Sequence, residues 1–124
     1  MSAVSILLLE DSPTDAYLLR KKLEGVENFS FSMVCAASLA RGLEQLDKAR
    51  FDVVLFDLGL PDSLGPGSIR TIRAKAVTVP VIVLTGNEQP GVMEAAIECG
   101  AHSFLSKHAA DAEDIAACVR AALG

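Results

Sequence analysis

Four short apolar runs in this 124-residue chain each end on a polar residue of chemically useful type. Glu10 and Asp11 follow Ser5–Leu9, Asp57 follows Phe51–Phe56, Thr85 follows Pro80–Leu84, and Lys107 follows His102–Ser106. If these ends converge, three carboxylates meet one hydroxyl and one ammonium. Like charges raise one another's pKa, so a carboxylate group of this kind is unfavourable until a cation neutralises it. Clustered carboxylate and carbonyl oxygens suit Mg2+, a hard octahedral ion that keeps several waters and favours sites shared with phosphate. In that setting Asp57 is a candidate nucleophile toward a phosphoryl group. Thr85 can donate a hydrogen bond to a phosphoryl oxygen, and Lys107 can neutralise another.

Convergence depends on the elements that carry these residues. Short apolar runs alternate with amphipathic stretches five times along the chain, which reads as five strand-helix units. After the first strand, Ser12 is placed as an N-cap and Pro13 at the first helical position; Ala16, Leu19, Leu23 and Val26 share one face, and Gly25 marks the stop. Phe29–Cys35 alternates apolar and polar residues, as an edge strand does. Ser38 opens a second helix with Leu39, Leu43 and Leu46 inward. Leu60-Pro61-Asp62 and Gly65-Pro66-Gly67 are dense turn chemistry after the central strand. The third helix then uses Ile69, Ile72 and Ala76, with a first turn loosened by the two glycines.

The fourth helix is expected from about Gln89 to Cys99, with Val92, Met93, Ala96 and Ile97 inward and Gly100 as its terminating glycine. The fifth runs from about Asp111 to Leu123, with Ile115, Cys118, Val119 and Ala122 as its apolar stripe. Near-continuous apolar strands imply parallel pairing, with right-handed crossovers that place helices on both faces. The expected fold is therefore a single α/β doubly wound domain over residues 1–124. Ligands of such sheets lie outside the carboxyl ends of the strands, where the four polar ends would meet.

Composition narrows the partners. Sixteen acidic against eleven basic side chains leave a net charge of -5, which disfavours nucleic acid or an anionic membrane as the main partner. Cys35, Cys99 and Cys118 have neither a disulfide framework nor metal-ligand spacing, and are read as small buried apolar residues in a reducing compartment. The N-terminal apolar stretch turns acidic after a few residues and lacks the basic flank of a signal peptide or the length of an anchor. A cytoplasmic protein is expected.

Taken in order and spacing, the acid pair Glu10-Asp11, the Asp57 loop with Leu60-Pro61 and Gly65, Thr85, and the run Gly100-Ala101-His102-Ser103-Phe104-Leu105-Ser106-Lys107 resemble the receiver domains of two-component response regulators, the family of the bacterial chemotaxis response regulator. The likeness covers essentially the whole chain. It implies a flavodoxin-like sheet in strand order 2-1-3-4-5. It further implies that Asp57 is the phosphoacceptor, that Asp11 binds Mg2+ directly with Glu10 helping through water, and that the Gly59 backbone carbonyl is a further ligand. Thr85 would be the switch hydroxyl, Lys107 its paired lysine, and Phe104 the aromatic switch residue. The implied partners are a sensor histidine kinase or histidine phosphotransfer protein, and an output domain or downstream protein at helix 4, strand 5 and helix 5. A homodimer is also compatible with it.

Two departures stand out. Most receivers follow the lysine with a cis proline, whereas His108 follows Lys107 here, so that bond is expected to be trans. Gly59 and Gly86 lack side chains beside the acceptor and the switch hydroxyl, and Asn87 is small, which leaves water access to an acyl phosphate open. Three other readings share parts of the pattern. A receiver fold that signals by binding alone would need no phosphorylation. A haloacid-dehalogenase-type phosphohydrolase would want a second aspartate where Gly59 stands, and a flavodoxin-like carrier would want glycines and hydroxyls in place of the acidic first loop. His102 and His108 read as surface histidines.

Overall fold

The computed structural model describes residues 3–63, 65–86, 90–107 and 109–124. Asn87, Gln89 and His108, and with His108 the expected trans bond after Lys107, lie outside the described residues. Within them, five strands alternate with five helices: β1 (Val4–Leu9), α1 (Pro13–Glu24), β2 (Phe31–Ala36), α2 (Leu39–Lys48), β3 (Val53–Phe56), α3 (Ser68–Lys75), β4 (Val81–Thr85), α4 (Val92–Glu98), β5 (Ser103–Ser106) and α5 (Ala112–Leu123). The sheet order is β2-β1-β3-β4-β5, and every pairing is parallel.

Register brings the strand ends level. Leu9 lies opposite both Ala36 and Phe56, Phe56 opposite Val83, and Thr85 opposite Ser106. Ladder bonds continue one step past the strands: Asp57 N donates to Leu9 O at 3.1 Å and Lys107 N to Thr85 O at 2.9 Å. The polar residues that follow the apolar runs are thereby gathered at one edge of the sheet.

Side chains alternate across a strand, so each central run feeds two cores. Leu7, Leu9, Val54, Phe56, Val81 and Val83 pack toward Ile69, Ile72 and Ala96 of α3 and α4, with Leu39, Leu43 and Leu46 of α2 at the margin. Ile6, Leu8, Val53, Leu55, Ile82 and Leu84 pack toward Leu19 and Leu23 of α1 and Ile115, Ala116 and Val119 of α5. All four β3 residues are wholly inaccessible to solvent, and each such side chain contributes roughly 1.5–3 kcal/mol by leaving water. Gly42 lets α2 come down directly on β1. A methyl group at that position would fall 2.6 Å from Leu9 Cδ2.

The helix signals act as expected. Ser12 Oγ accepts from Asp15 N at 3.2 Å with Pro13 opening α1, and Ser38 Oγ accepts from Arg41 N at 3.1 Å. Gly100 follows α4 in the left-handed region, with φ +109°. The glycine-flanked segment Gly65–Gly67 forms a short 3-10 turn, and α3 starts without a side-chain cap.

Three expectations need correction. β2 begins at Phe31 rather than Phe29; Phe29 is buried ahead of the strand, with the Arg120 guanidinium 5.4 Å from its ring centre. Met93 and Ile97 are exposed rather than inward, at 49% and 46%. The short α4 meets the core through the strip Val92, Ala96 and Cys99 alone, and residues one position further round a 3.6-residue turn fall outside it. Cys35 is exposed, while Cys99 and Cys118 are partly buried, because β2 is an edge strand with only Ala36 fully covered.

Candidate functional site

The β3 ladder fixes the backbone of Asp57, and its two carboxylate oxygens have separate partners. Gly59 N donates to Oδ1 at 2.9 Å and Thr85 Oγ1 donates to the same oxygen at 3.3 Å, while Lys107 Nζ donates to Oδ2 at 3.0 Å. Lys107 Nζ also lies 2.5 Å from Glu10 Oε1 and 2.9 Å from Asp15 Oδ2. The second Glu10 oxygen, Oε2, accepts from Ser12 N at 3.2 Å, at the start of α1. Asp11 is exposed beside it.

Burial and bonding pull these groups in opposite directions. Burial pushes the Asp57 carboxyl up, but the Gly59 amide and the Lys107 ammonium together outweigh it and hold the carboxyl below the usual aspartate range. For Glu10, burial dominates, and the carboxyl is raised despite Lys107 and the Ser12 amide. Burial works against the charge on Lys107, yet its bonds to Glu10, Asp15 and Asp57 raise its pKa well above the ordinary lysine value. Asp57 is therefore an ionised, hydrogen-bonded carboxylate at neutral pH.

The chemistry of the donor set fits a divalent cation. Glu10, Asp11 and Asp57 each offer a carboxylate oxygen, all within 4.8 Å of one another. Counting Asp15, four carboxylates face a single ammonium in the contacts around Lys107 and this trio. Uncompensated negative charge with all-oxygen donors is the chemistry that a hard divalent cation such as Mg2+ takes.

Each expected residue has a definite place. Glu10, Asp57 and Thr85 are buried, Asp11 and Gly59 are exposed, and Lys107 lies between. Phe104 pairs with Val83 in the sheet and packs, half-buried, on the α2–α3–α4 side of the core. His102 is exposed, with Nδ1 2.8 Å from Ser103 Oγ. One member of the cluster was not anticipated: Asp15. Its signal is faint, an acid three residues after an N-cap serine, which favours the positive end of a helix whether or not a lysine lies opposite.

A parallel sheet in this order, with carboxylates, a hydroxyl and an ammonium at its carboxyl edge, defines a doubly wound domain with its candidate site where such sheets bind ligands. Residues 6–120 match the response regulator receiver domain family. The chain is 37% identical over 103 residues to the KDP operon transcriptional regulatory protein KdpE of Escherichia coli (strain K12), across 83% of this chain and 44% of that protein. It is 34% identical over 125 residues to the sensory transduction protein RegX3 of Mycobacterium tuberculosis (strain ATCC 25618 / H37Rv), across 99% and 51%. A CheY-like receiver domain from Methanospirillum hungatei JF-1 superposes with a TM-score of 0.84 at 22% identity, covering 98% of this chain and 94% of that one. The signal receiver domain of a histidine kinase from Syntrophus aciditrophicus does so at 0.82 and 28%, covering 98% and 90%.

The chain belongs to the response regulator receiver domain family, whose members are signalling domains of two-component systems rather than enzymes in the usual sense. It spans about half the length of the curated relatives it matches. Among the described residues no helix is long and apolar enough to cross a membrane.

Proposed function

We propose that this chain is a single receiver domain that accepts a phosphoryl group on Asp57 from a phosphohistidine of a sensor histidine kinase or histidine phosphotransfer protein, in the cytoplasm. The observation that carries this reading is the distribution of donors on one carboxylate: Gly59 N and Thr85 Oγ1 on Oδ1, Lys107 Nζ on Oδ2. They keep Asp57 ionised as a nucleophile and lie where charge must be stabilised as an acyl phosphate forms. An Asp57 oxygen attacks phosphorus, the phosphorus–nitrogen bond of the phosphohistidine breaks, and the imidazole leaves as a neutral ring after taking up a proton. Asp11, Asp57 and the Gly59 carbonyl, with Glu10 through water, would hold Mg2+, and the ion would supply positive charge to the phosphoryl oxygens.

Lys107 then follows the new negative charge. Thr85 Oγ1, now bonded to the unmodified carboxylate, donates to a phosphoryl oxygen instead, and the half-buried ring of Phe104 turns into the space the hydroxyl leaves. This biases a pre-existing equilibrium rather than creating a new fold. The exposed apolar pair Met93 and Ile97 on α4 supports an output surface formed by α4, β5 and α5, open to an output domain, a downstream protein or a second copy.

Labelling with acetyl phosphate or phosphoramidate in Mg2+ tests the assignment. Wild type is expected to gain one acid-stable, base-labile phosphoryl group, and Asp57→Asn none. Labelling of the Asn variant at the wild-type level would remove Asp57 from this role.

A further inference from the structure

Asp62 belongs to the loop that leaves the acceptor, five residues beyond Asp57, and its side chain is exposed. Its carboxylate nevertheless has two specific partners across the fold. Oδ1 accepts from Leu39 N at 2.7 Å and Oδ2 from Ala40 N at 3.0 Å, the first two amides of α2. Ser38 Oγ accepts from the third, Arg41 N, at 3.1 Å, and Gly42 N bonds to Ser38 O at 3.0 Å. The orphan donors of the first turn of this ten-residue helix are thus all satisfied, two of them by a residue 22–23 positions away. These amide bonds hold the Asp62 carboxyl below the usual aspartate range, and a carboxylate at a helix N-terminus is also favoured by the helix dipole.

The bridge matters because of what lies between its ends. Leu58 and Leu60 are buried, but Gly59 between them is exposed and has no side chain to hold it. Past Leu60 the chain turns, with Ser63 N on Leu60 O at 3.1 Å; Ser63 Oγ lies 3.1 Å from Ser68 Oγ at the start of α3, and Asp62 ties the same turn to α2. On its far side the Gly65–Gly67 turn packs against α4. The loop is therefore anchored by the buried Leu58 and Leu60, by α3 and by α4, with the Asp62 carboxylate as its polar tether to α2.

Resting on the phosphoacceptor reading, we propose that Asp62 is a positioning residue for the metal site: by bonding to Leu39 N and Ala40 N it fixes the path of the loop that presents the Gly59 backbone. Ordinary capping predicts loss of stability alone. Positioning predicts, in addition, a weaker metal site, because supports behind a ligand set its orientation.

The test uses wild type, Asp62→Ala, Asp62→Asn and Ser38→Ala. Ser38→Ala removes a cap from the same helix end without touching the loop. In metal-free protein, amide exchange in Asp62→Ala should accelerate at Leu39, Ala40 and Gly59, whereas Ser38→Ala should accelerate Arg41 and leave Gly59 unchanged. Mg2+ titration followed by amide NMR should give Asp62→Ala a Kd about threefold to tenfold above wild type, at or below the usual cost of lost support around a ligand. Asp62→Asn, which keeps one acceptor oxygen and loses the charge, should fall between; it carries the test if the Ala variant does not fold. Ser38→Ala should bind Mg2+ as wild type does. Unchanged Gly59 exchange and Mg2+ affinity in a folded Asp62 variant, or equal weakening in Ser38→Ala, would overturn the proposal while leaving Asp57 labelling intact. Failure of wild type itself to bind Mg2+ and label would instead remove the phosphoacceptor reading.

Discussion

β3 and β2 lie on either side of β1 and are built to opposite rules. Every residue of β3 is sealed from solvent, and Asp57 follows directly on its last residue. β2 buries only Ala36, leaves Val34 at 40% exposure and presents the Cys35 thiol 3.9 Å from the Glu10 carbonyl oxygen. β5, at the other edge, is half-buried throughout and leads into Lys107. Asp57 thus follows the most constrained strand, and the ammonium that faces it follows an edge strand. If Asp57 accepts a phosphoryl group as proposed, the attacking oxygen is held by the buried strand while its counter-charge comes from the less covered edge.

The sharpest way to break this contrast is to unpack the central strand. Leu55→Ala should lower stability by about 2–5 kcal/mol in chemical denaturation, while leaving the wiring of the site in the remaining folded protein unchanged. A loss near 0.5 kcal/mol would mean that β3 is not the anchor. Lys107→Met leaves Glu10 and Asp57 without their shared ammonium. It should cost about 1.5–3 kcal/mol in metal-free buffer, with part recovered on adding Mg2+, which thermal melting in chelator against Mg2+ will show. Asp15→Asn removes a half-exposed partner of the same lysine and should cost under about 1 kcal/mol. Smallest of all, Val34→Thr on β2 should change stability by no more than about 0.5 kcal/mol.

A pH titration of the carboxyl carbons separates the two buried acids. Asp57 is held below its ordinary value and Glu10 is raised, so on acidification Glu10 takes its proton first. The depressed Asp57 contributes stability that is present above its unfolded pKa and lost as pH falls through the folded one. Ionised Glu10 has the opposite sign: its cost is present above its raised folded pKa and disappears as pH falls through that value to the unfolded one. Asp57 titrating above Glu10 in metal-free protein would contradict this order.

How much of this was legible in the sequence follows the same division. Apolar runs buried on both faces, such as Val53–Phe56, declare themselves by composition, and the residues that end them are identifiable because parallel registers bring those ends together. The sequence pattern starts β2 two residues early because Phe29 is as apolar as a strand residue while serving as a plug beneath Arg120. On α4 helical spacing implies a wider inward arc than the structure has, since spacing does not say how narrow the contact is. Asp15 and Asp62 are not legible as partners in the sequence, for a common reason. Their contacts depend on where a helix end and a loop come to rest over another element, and a sequence pattern records neither.

The absent side chain of Gly42 makes α2 a beam resting directly on Leu9, one residue before Glu10. The beam has its fulcrum at Gly42 and, if Asp62 acts as proposed, a guy-line at its near end running to the loop beyond Asp57. Any larger residue at position 42 would act as a wedge, lifting the beam or shoving Leu9 aside. The thickness of one methyl group at position 42, outside the acid cluster itself, thereby bears on the alignment of Glu10 and Asp11 and, through the proposed Asp62 tie, on the loop beyond Asp57.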